Sequence, residues 1–458
     1  MEDKIVIGIK SDSKLILRNY SEKLPNRIRT EFMRDRDRIL YSEPFRRLAG
    51  KTQVYSSGSS DLMRTRLTHT LEVTQIARTI SASLNLNCDL TEAIALGHDI
   101  GHTPFGHVGE RTLHSIMTPH ANHYIKKCPF DKDPMDYDDC YGFKHNLQGV
   151  KLAYSSQLNL TNYTLFGIQA HSKLKYKKDF EDFHGLGFYK YYQKLLKTQG
   201  GVDAWSLEAY VVAIADEIAQ RHHDLEDAIN GRIITKGEVI NLLRELAGDN
   251  NPNGNINSLN EDMDVGKYEK QMSSLIVNLL VSTIIDDSRQ NILNFQNKYN
   301  ICEENAEDFL THEMPLEEIK DIISYSEPFS EKESVFAKEI QNRVLQSYEI
   351  QVADSRGAYV VKKLFQAFYT TPQQLPDNSI ISYLLRAGII RTMDEVNLIR
   401  KEKGIGYIRK MFGDSYNASN NEKNDILLMR VICDYIAGMT DNYALDLYRK
   451  LYGYDALN

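Results

Sequence analysis

Between Leu96 and Glu110 the chain reads LGHDIGHTPFGHVGE, with three histidines, two carboxylates, four glycines and a proline in fifteen residues. Packing gives no reason to crowd imidazoles so densely. Hydrolytic chemistry at a divalent ion does, because neutral imidazole and carboxylate are its common ligands. His69 lies near the start of one helical run, and Asp216 interrupts the apolar stretch VVAIADEIA of another. A carboxylate buried there without a partner would be very costly, and a cation would supply that partner. We therefore read His69, His98, Asp99 and Asp216 as metal ligands. Two imidazoles and two carboxylates leave open positions on a five- or six-coordinate ion, as catalysis requires. Taken singly the members say little. A lone histidine on an apolar face is most often a core residue, the dipeptide His98-Asp99 is common, and Asp216 could pair with Arg221.

The elements that must position these residues read as helices. Arg34 to Arg47 is a basic, helix-capable stretch, followed by a loop at Ser57-Gly58-Ser59-Ser60. Helical spacing recurs over Thr68–Leu84, Leu90–His98, Phe143–Tyr154 and Trp205–Asn230. Residues 121–142 are irregular and read as an insertion or lid, and 249–264 as a solvated loop. Amphipathic runs follow at Lys267–Leu293, Glu331–Ser347, Ala358–Tyr369, Asp425–Ala437 and Ala444–Leu451. Strand signals are few, and no repeat at a solenoid period is evident. The fold class is mostly α: a helical core with a helical C-terminal extension. The expected division is a basic segment (1–60) packing on the core, the core (61–230) and a C-terminal region (231–458) continuous with it.

Composition sets the frame. The chain has 458 residues, 42% hydrophobic and 26% charged, so a globular body with a real core is expected. A net charge of −8 excludes a general nucleic-acid or membrane-surface binder. The segment Asn26–Arg66 is nevertheless basic, with nine Arg, one Lys and five acids, which suggests a local anionic ligand. Five scattered cysteines (Cys88, Cys128, Cys140, Cys302, Cys433) without a CxxC read as reduced thiols. No apolar run reaches the ~18 residues of a membrane span. The N-terminus lacks a signal-peptide core, so a cytoplasmic protein is expected.

The order H…HD…D, set in RDRDRILYSEPFRRLAGKTQVY (34–55), DLMRTRLTHTLEVTQIAR (61–78), EAIALGHDIGHTPFGHVGE (92–110), GFKHNLQ (142–148) and AIADEIAQRHHDLEDAI (213–229), resembles the HD-domain phosphohydrolases. More narrowly it resembles the deoxyguanosine triphosphate triphosphohydrolase (dGTPase) family, related to the animal SAM-and-HD-domain dNTPase. The matching blocks cover about the first half of the chain.

The resemblance implies hydrolysis of a deoxynucleoside triphosphate at the α-phosphorus, most simply dGTP to deoxyguanosine and inorganic triphosphate. It implies a divalent cofactor, Mg, Mn or another transition metal such as Fe, Ni or Zn. His107 and Glu110, three apart and so on one helix face, would be the catalytic His–acid pair. His102 would meet the α-phosphate and His145 the phosphate side. Arg66, three before His69, would contact phosphate, because guanidinium binds phosphate oxygens bidentately. Gln53 would meet the sugar 3′-hydroxyl, and Asp224 would help fix the phosphate-binding groups. Arg46, Arg47, Lys51 and Arg64 are weaker candidates. The chain departs from the family at Gln220, where Tyr usually packs against sugar and base. Tyr348 or Tyr359 could supply an aromatic contact instead. The family also implies a homo-oligomer (hexamer or tetramer), a dNTP activator at a second site and single-stranded DNA as a partner. Two alternatives remain open: a phosphohydrolase of another nucleotide (a monophosphate or an alarmone), or a non-catalytic nucleotide or single-stranded nucleic-acid binder.

Overall fold

The computed structural model describes residues 4–22, 28–53, 65–118, 142–171, 193–248, 256–312, 316–319, 321–418 and 422–453. Among these, regular structure is helical, with only isolated bridge pairs and no sheet. Arg64, Cys128, Cys140, the 57–60 loop, all but the last residue of the 121–142 insertion, and residues 249–255 lie outside the described set.

Local chemistry sets the boundaries. The single run expected over Arg34–Arg47 is two helices, α1 (Glu31–Leu40) and α2 (Glu43–Arg47). Ser42 takes an extended conformation between them, and its hydroxyl accepts the Phe45 N–H. Pro44 sits in the first turn, where its missing N–H costs nothing. Thr65 caps α3 (Arg66–Ser83), and Asn87 caps α4 (Cys88–Gly97) with two backbone bonds. Next come α5 (Gly106–Ile116), α6 (His145–Ser155), α7 (Asn162–Ala170) and α8 (Leu207–Asn230), the last capped by Ser206. A capping box of Thr235 and Glu238 starts α9 (Lys236–Ala247). Asp264 caps α10 (Val265–Tyr299), and α11 (Phe329–Leu345) follows.

The C-terminal helices are α12 (Tyr348–Thr370), α13 (Asp377–Arg386), α14 (Met393–Lys403), α15 (Ile405–Ala418), α16 (Glu422–Ala437) and α17 (Asp441–Tyr452). α12 starts well ahead of the Ala358 expected from apolar spacing, because its first turns are mostly polar and exposed. No described helix is long and apolar enough to cross a membrane.

Two apolar cores result. The first gathers Ile5, Phe32, Val73, Ile94, Tyr163, Ile214 and Ile350, with α3 and α4 packed on one another and on α8. The second gathers Leu113, Phe143, Val361, Phe365, Leu384, Phe412 and Ile432. The segments from Gly97 to α6 run between them and carry most of the unusual chemistry.

Candidate active site

Three helices converge on the four expected ligands. His69 is buried in the second turn of α3, His98 and Asp99 follow the end of α4, and Asp216 lies in the third turn of α8. His69 Nε2 and Asp216 Oδ1 are 2.8 Å apart. His98 Nε2 stands 3.6 Å from Asp99 Oδ1 and 3.9 Å from Asp216 Oδ1. The His98 Nδ1 is spent on the Ala95 carbonyl at 2.6 Å, while its buried Nε2 has no hydrogen-bond partner. That is the donor set and outer-shell bond of a metal-ligating histidine, and His69, His98 and Asp99 can together hold one ion. Arg221, the alternative partner for Asp216, pairs instead with Glu333 at 2.7 Å.

Tight backbone contacts shape the turn after Asp99. A Cβ at Gly101 would lie 2.0 Å from the His145 carbonyl and 2.3 Å from the Gly149 nitrogen. Only glycine lets α6 approach this closely. Phe105 and Gly106 both take left-handed conformations (φ +60° and +58°) and launch α5. This turn aims His107 at solvent, 65% exposed, over a buried Glu110 whose Oε2 is 3.3 Å from His107 Nδ1. The other oxygen, Oε1, accepts the His145 backbone N–H at 3.2 Å and lies 3.1 Å from His145 Nδ1. His102 stacks on His145, ring centroids 4.0 Å apart. A histidine that sequence reading passed over, His171 at the end of α7, closes the group. Its Nε2 is 3.3 Å from His145 Nε2 and its Nδ1 is 2.8 Å from the Ile168 carbonyl.

Burial and charge act in opposition here. Burial alone would raise Asp99, but Arg66, then His98, His102 and His69, hold it well below the carboxylate range. Glu110 is likewise raised by burial and pulled well below its ordinary value by His145 and His107. Asp216 is lowered by the bond to His69 and the charges of His69 and His98, against its burial. Burial, with Arg66 second, pushes His102 well below the usual imidazole value. Burial and the neighbouring His98 and His145 bring His171 to about 3. The carboxylate of Asp99 thus stays anionic beside the buried rings of His102 and His171, which burial keeps from taking up a proton.

Arg66 has an unspent half. Its Nη1 meets Asp99 Oδ2 at 2.7 Å, yet its Nε and Nη2 are buried without a partner. It lines a cleft of about 280 Å³ with Gln53, Asp99, His102, His107, His145, Asp216, Gln220 and Asp224. Gln53 Nε2 donates to Gln220 Oε1 at 3.3 Å, and Gln220 Nε2 donates to Asp224 Oδ1 at 2.6 Å. The departure at position 220 therefore places an amide chain where an aromatic ring was expected. The far wall is more apolar, with Val344, Leu345, Ile350 and Ala353 beside Asp354 and Arg111.

Some expected residues do not reach the cleft. Tyr348 opens α12 at 77% exposure and does not line it, because two residues on, Ile350 turns inward instead. Tyr359, 51% exposed, packs edge-on against Tyr448. Arg46 is exposed and bonds the Tyr41 carbonyl, and Arg47 bonds Gly438 and Glu43. Lys51 is buried behind the wall, donating to the carbonyls of His102 and Ala437. Burial, then Arg66, lowers it to about 7.

The C-terminal helices brace the site from behind. Asp441 Oδ2 accepts the Thr52 N–H at 3.1 Å and the Thr52 hydroxyl, and Oδ1 accepts the Phe105 N–H at 3.0 Å. Arg430 holds the Gly142 carbonyl at 2.9 Å and Gln148 at 3.3 Å, and Asp434 pairs with Lys151. Sequence reading missed Asp441, Arg430 and a cluster of Glu72, His222 and His223 behind His69. The dipeptide His222-His223 was the only local signal for any of them.

The sequence comparisons agree with this geometry. A model of the HD domain matches residues 66–236, and one of a phosphohydrolase-associated domain matches residues 409–450. The chain is 30% identical over 440 residues to a deoxyguanosinetriphosphate triphosphohydrolase-like protein of Ruegeria sp., covering 92% of this chain and 93% of that protein. It is 31% identical over 453 residues to one from Rickettsia bellii (95% and 94% covered) and 30% over 445 residues to one from Bartonella henselae (93% and 90%).

Proposed function

The chain belongs to the deoxyguanosinetriphosphate triphosphohydrolase-like family of HD-domain phosphohydrolases, and from this we propose that it hydrolyses deoxynucleoside triphosphates, dGTP first, to the deoxynucleoside and inorganic triphosphate. The observation that carries the proposal is the buried Arg66. Two of its nitrogens are buried without a partner, and it lines the same cleft as Asp99 and Asp216, behind which His69 and His98 lie buried. A buried guanidinium with spare donors calls for an anion, and phosphate oxygens match its fork.

His69, His98, Asp99 and Asp216 would hold a divalent ion. That ion, Mg, Mn or another transition metal such as Fe, Ni or Zn, supplies Lewis-acid polarisation of a phosphoryl oxygen and a water of lowered pKa. His102 and His145, stacked on one another, would line the phosphate path. Glu110 orients His107 through Nδ1, leaving Nε2 free to give a proton to the leaving 5′-oxygen. Gln53, held by Gln220, faces the sugar, with Asp224 behind. We place this activity in a cytoplasmic homo-oligomer.

Protein incubated with dGTP and Mn²⁺ should release tripolyphosphate and deoxyguanosine, resolved by ³¹P NMR and ion-exchange chromatography. Release of dGMP and pyrophosphate, or no turnover of any dNTP, overturns the proposal.

A further inference from the structure

We propose that Arg221 reads the base of the nucleotide, donating through its two terminal nitrogens to the O6 and N7 acceptors of guanine. The inference deepens the triphosphohydrolase reading above and rests on it.

Position comes first. Helix α8 carries Asp216, Gln220 and Arg221 in that order, and all three line the cleft. Arg221 stands about 7.5 Å beyond Asp216 along the helix axis, at 1.5 Å per residue. A nucleotide with its phosphate at Asp216 and its sugar at Gln53 and Gln220 has its base farther on, beside Arg221. The wall there is α11, which is tied to Arg221 through Glu333 and gives Gln341, Val344 and Leu345 to the cleft. Apolar side chains suit the flat face of a base.

The guanidinium is held but not used up. Its Nε donates to Glu333 Oε1 at 2.7 Å, and among the described residues Nη1 and Nη2 donate to nothing. The side chain is 18% exposed. A planar pair of donors thus sits on an arm already fixed by an ion pair, so little freedom is lost on binding. Of the other arginines lining the cleft, Arg66 is committed to Asp99. Arg111 is 68% exposed and comes no nearer to Asp354 than 3.6 Å, so it would have to be ordered.

Charge selects the base over the triphosphate. Three carboxylates, Glu333, Glu217 and Asp224, act on this one cation. One positive charge among three negative ones repels a polyanion and tolerates a neutral acceptor edge. Guanine offers N7 and O6 side by side, the pair that arginine meets bidentately. Adenine puts an amino donor in the place of O6, so donor would face donor. Pyrimidines have no N7.

Substrate analogues and a conservative variant test this together. Values of kcat/KM are measured for dGTP, 7-deaza-dGTP and dATP on wild-type protein and on Arg221→Lys. Lysine keeps a charge opposite Glu333 but lacks the fork. Wild type should favour dGTP over each of the other two by about tenfold or more. Arg221→Lys should lose most of that preference, with the melting temperature unchanged. Should the variant fail to fold, equal wild-type values for dGTP and 7-deaza-dGTP still overturn the contact. A preference of the same size in both proteins overturns it, and so does an equal loss for all three nucleotides, which would place Arg221 on the phosphates. Each of these results leaves the hydrolase reading standing, because the nucleotides are turned over. If no dNTP is turned over, that reading fails, and Kd ratios for the same three nucleotides by equilibrium dialysis decide the Arg221 contact by the same criteria.

Discussion

Asp441 holds Thr52 across nearly the full length of the chain, its carboxylate accepting both the Thr52 backbone N–H at 3.1 Å and the Thr52 hydroxyl. The other oxygen takes the Phe105 N–H at 3.0 Å. One side chain from α17 thus fixes the residue before Gln53 and the turn that launches His107. Bonds to an ionised acceptor contribute about 1.5–3 kcal/mol each. Asp441→Asn should lower turnover of dGTP at least tenfold and reduce the melting temperature by several degrees. Steady-state kinetics beside a thermal melt would check this, and unaltered kinetics would remove Asp441 from the positioning of the site.

Gln220 joins Gln53 to Asp224 by one bond on each side. Replacing it with alanine frees both neighbours at about 1 kcal/mol per bond. The expected outcome for Gln220→Ala is a rise in KM for dGTP of about tenfold, with a smaller change in kcat. If KM stays within twofold of wild type, the amide chain has no part in holding the nucleotide.

His107 is the exposed member of its pair and touches none of the four expected metal ligands among the contacts described. Loss of a general acid typically costs 10²–10⁴-fold in rate. His107→Asn should therefore lower kcat by about that factor while Mn²⁺ binding is retained. A variant that loses metal along with activity would assign His107 to the centre itself.

Glu208, at the start of α8, supplies a pH signature for folding. Its Oε1 accepts the N–H groups of Ile9 and Asn87 at 3.1 and 2.9 Å, while burial, opposed by these bonds, raises its carboxyl to about 7. The unfolded chain ionises this group near the ordinary glutamate value, so between there and pH 7 the folded state binds more protons. Stability must fall as pH rises across that window, with a ceiling of about 3 kcal/mol. Glu208→Gln keeps the acceptor oxygen and should flatten the melting temperature between pH 5 and 7.5. A slope equal to wild type would assign the dependence to other groups.

Helix positions were legible where apolar spacing is regular, as in α3, α4 and α8, because each reports its own buried face. The same spacing ran α1 and α2 together, since a break of one capped residue leaves little mark on periodicity. It also missed the first turns of α12, whose residues are largely exposed. The four-residue centre was legible because unusual residue types cluster at two places and a carboxylate sits in apolar text at the third. His171 was not, since nothing near it in QAHSKL marks it as special and its meaning comes from His145 across the fold. Asp441 was invisible for the same reason. Its partners lie hundreds of residues upstream, and no local pattern encodes a bond over that separation. Tyr348 misled in the opposite direction, because an aromatic residue at a plausible position turns outward when its helix is set by Ile350.

The cleft takes Ile350 and Val344 from one apolar core, and Phe105 and Arg111 from elements packed on the other. A nucleotide seated there would add a bridge between two cores already joined by α12, which gives Ile350 to one and Val361 to the other. Without it, the second core should be the first to loosen on heating. With it, both must let go together, so occupancy of the cleft would be written into the sharpness of melting as well as its midpoint.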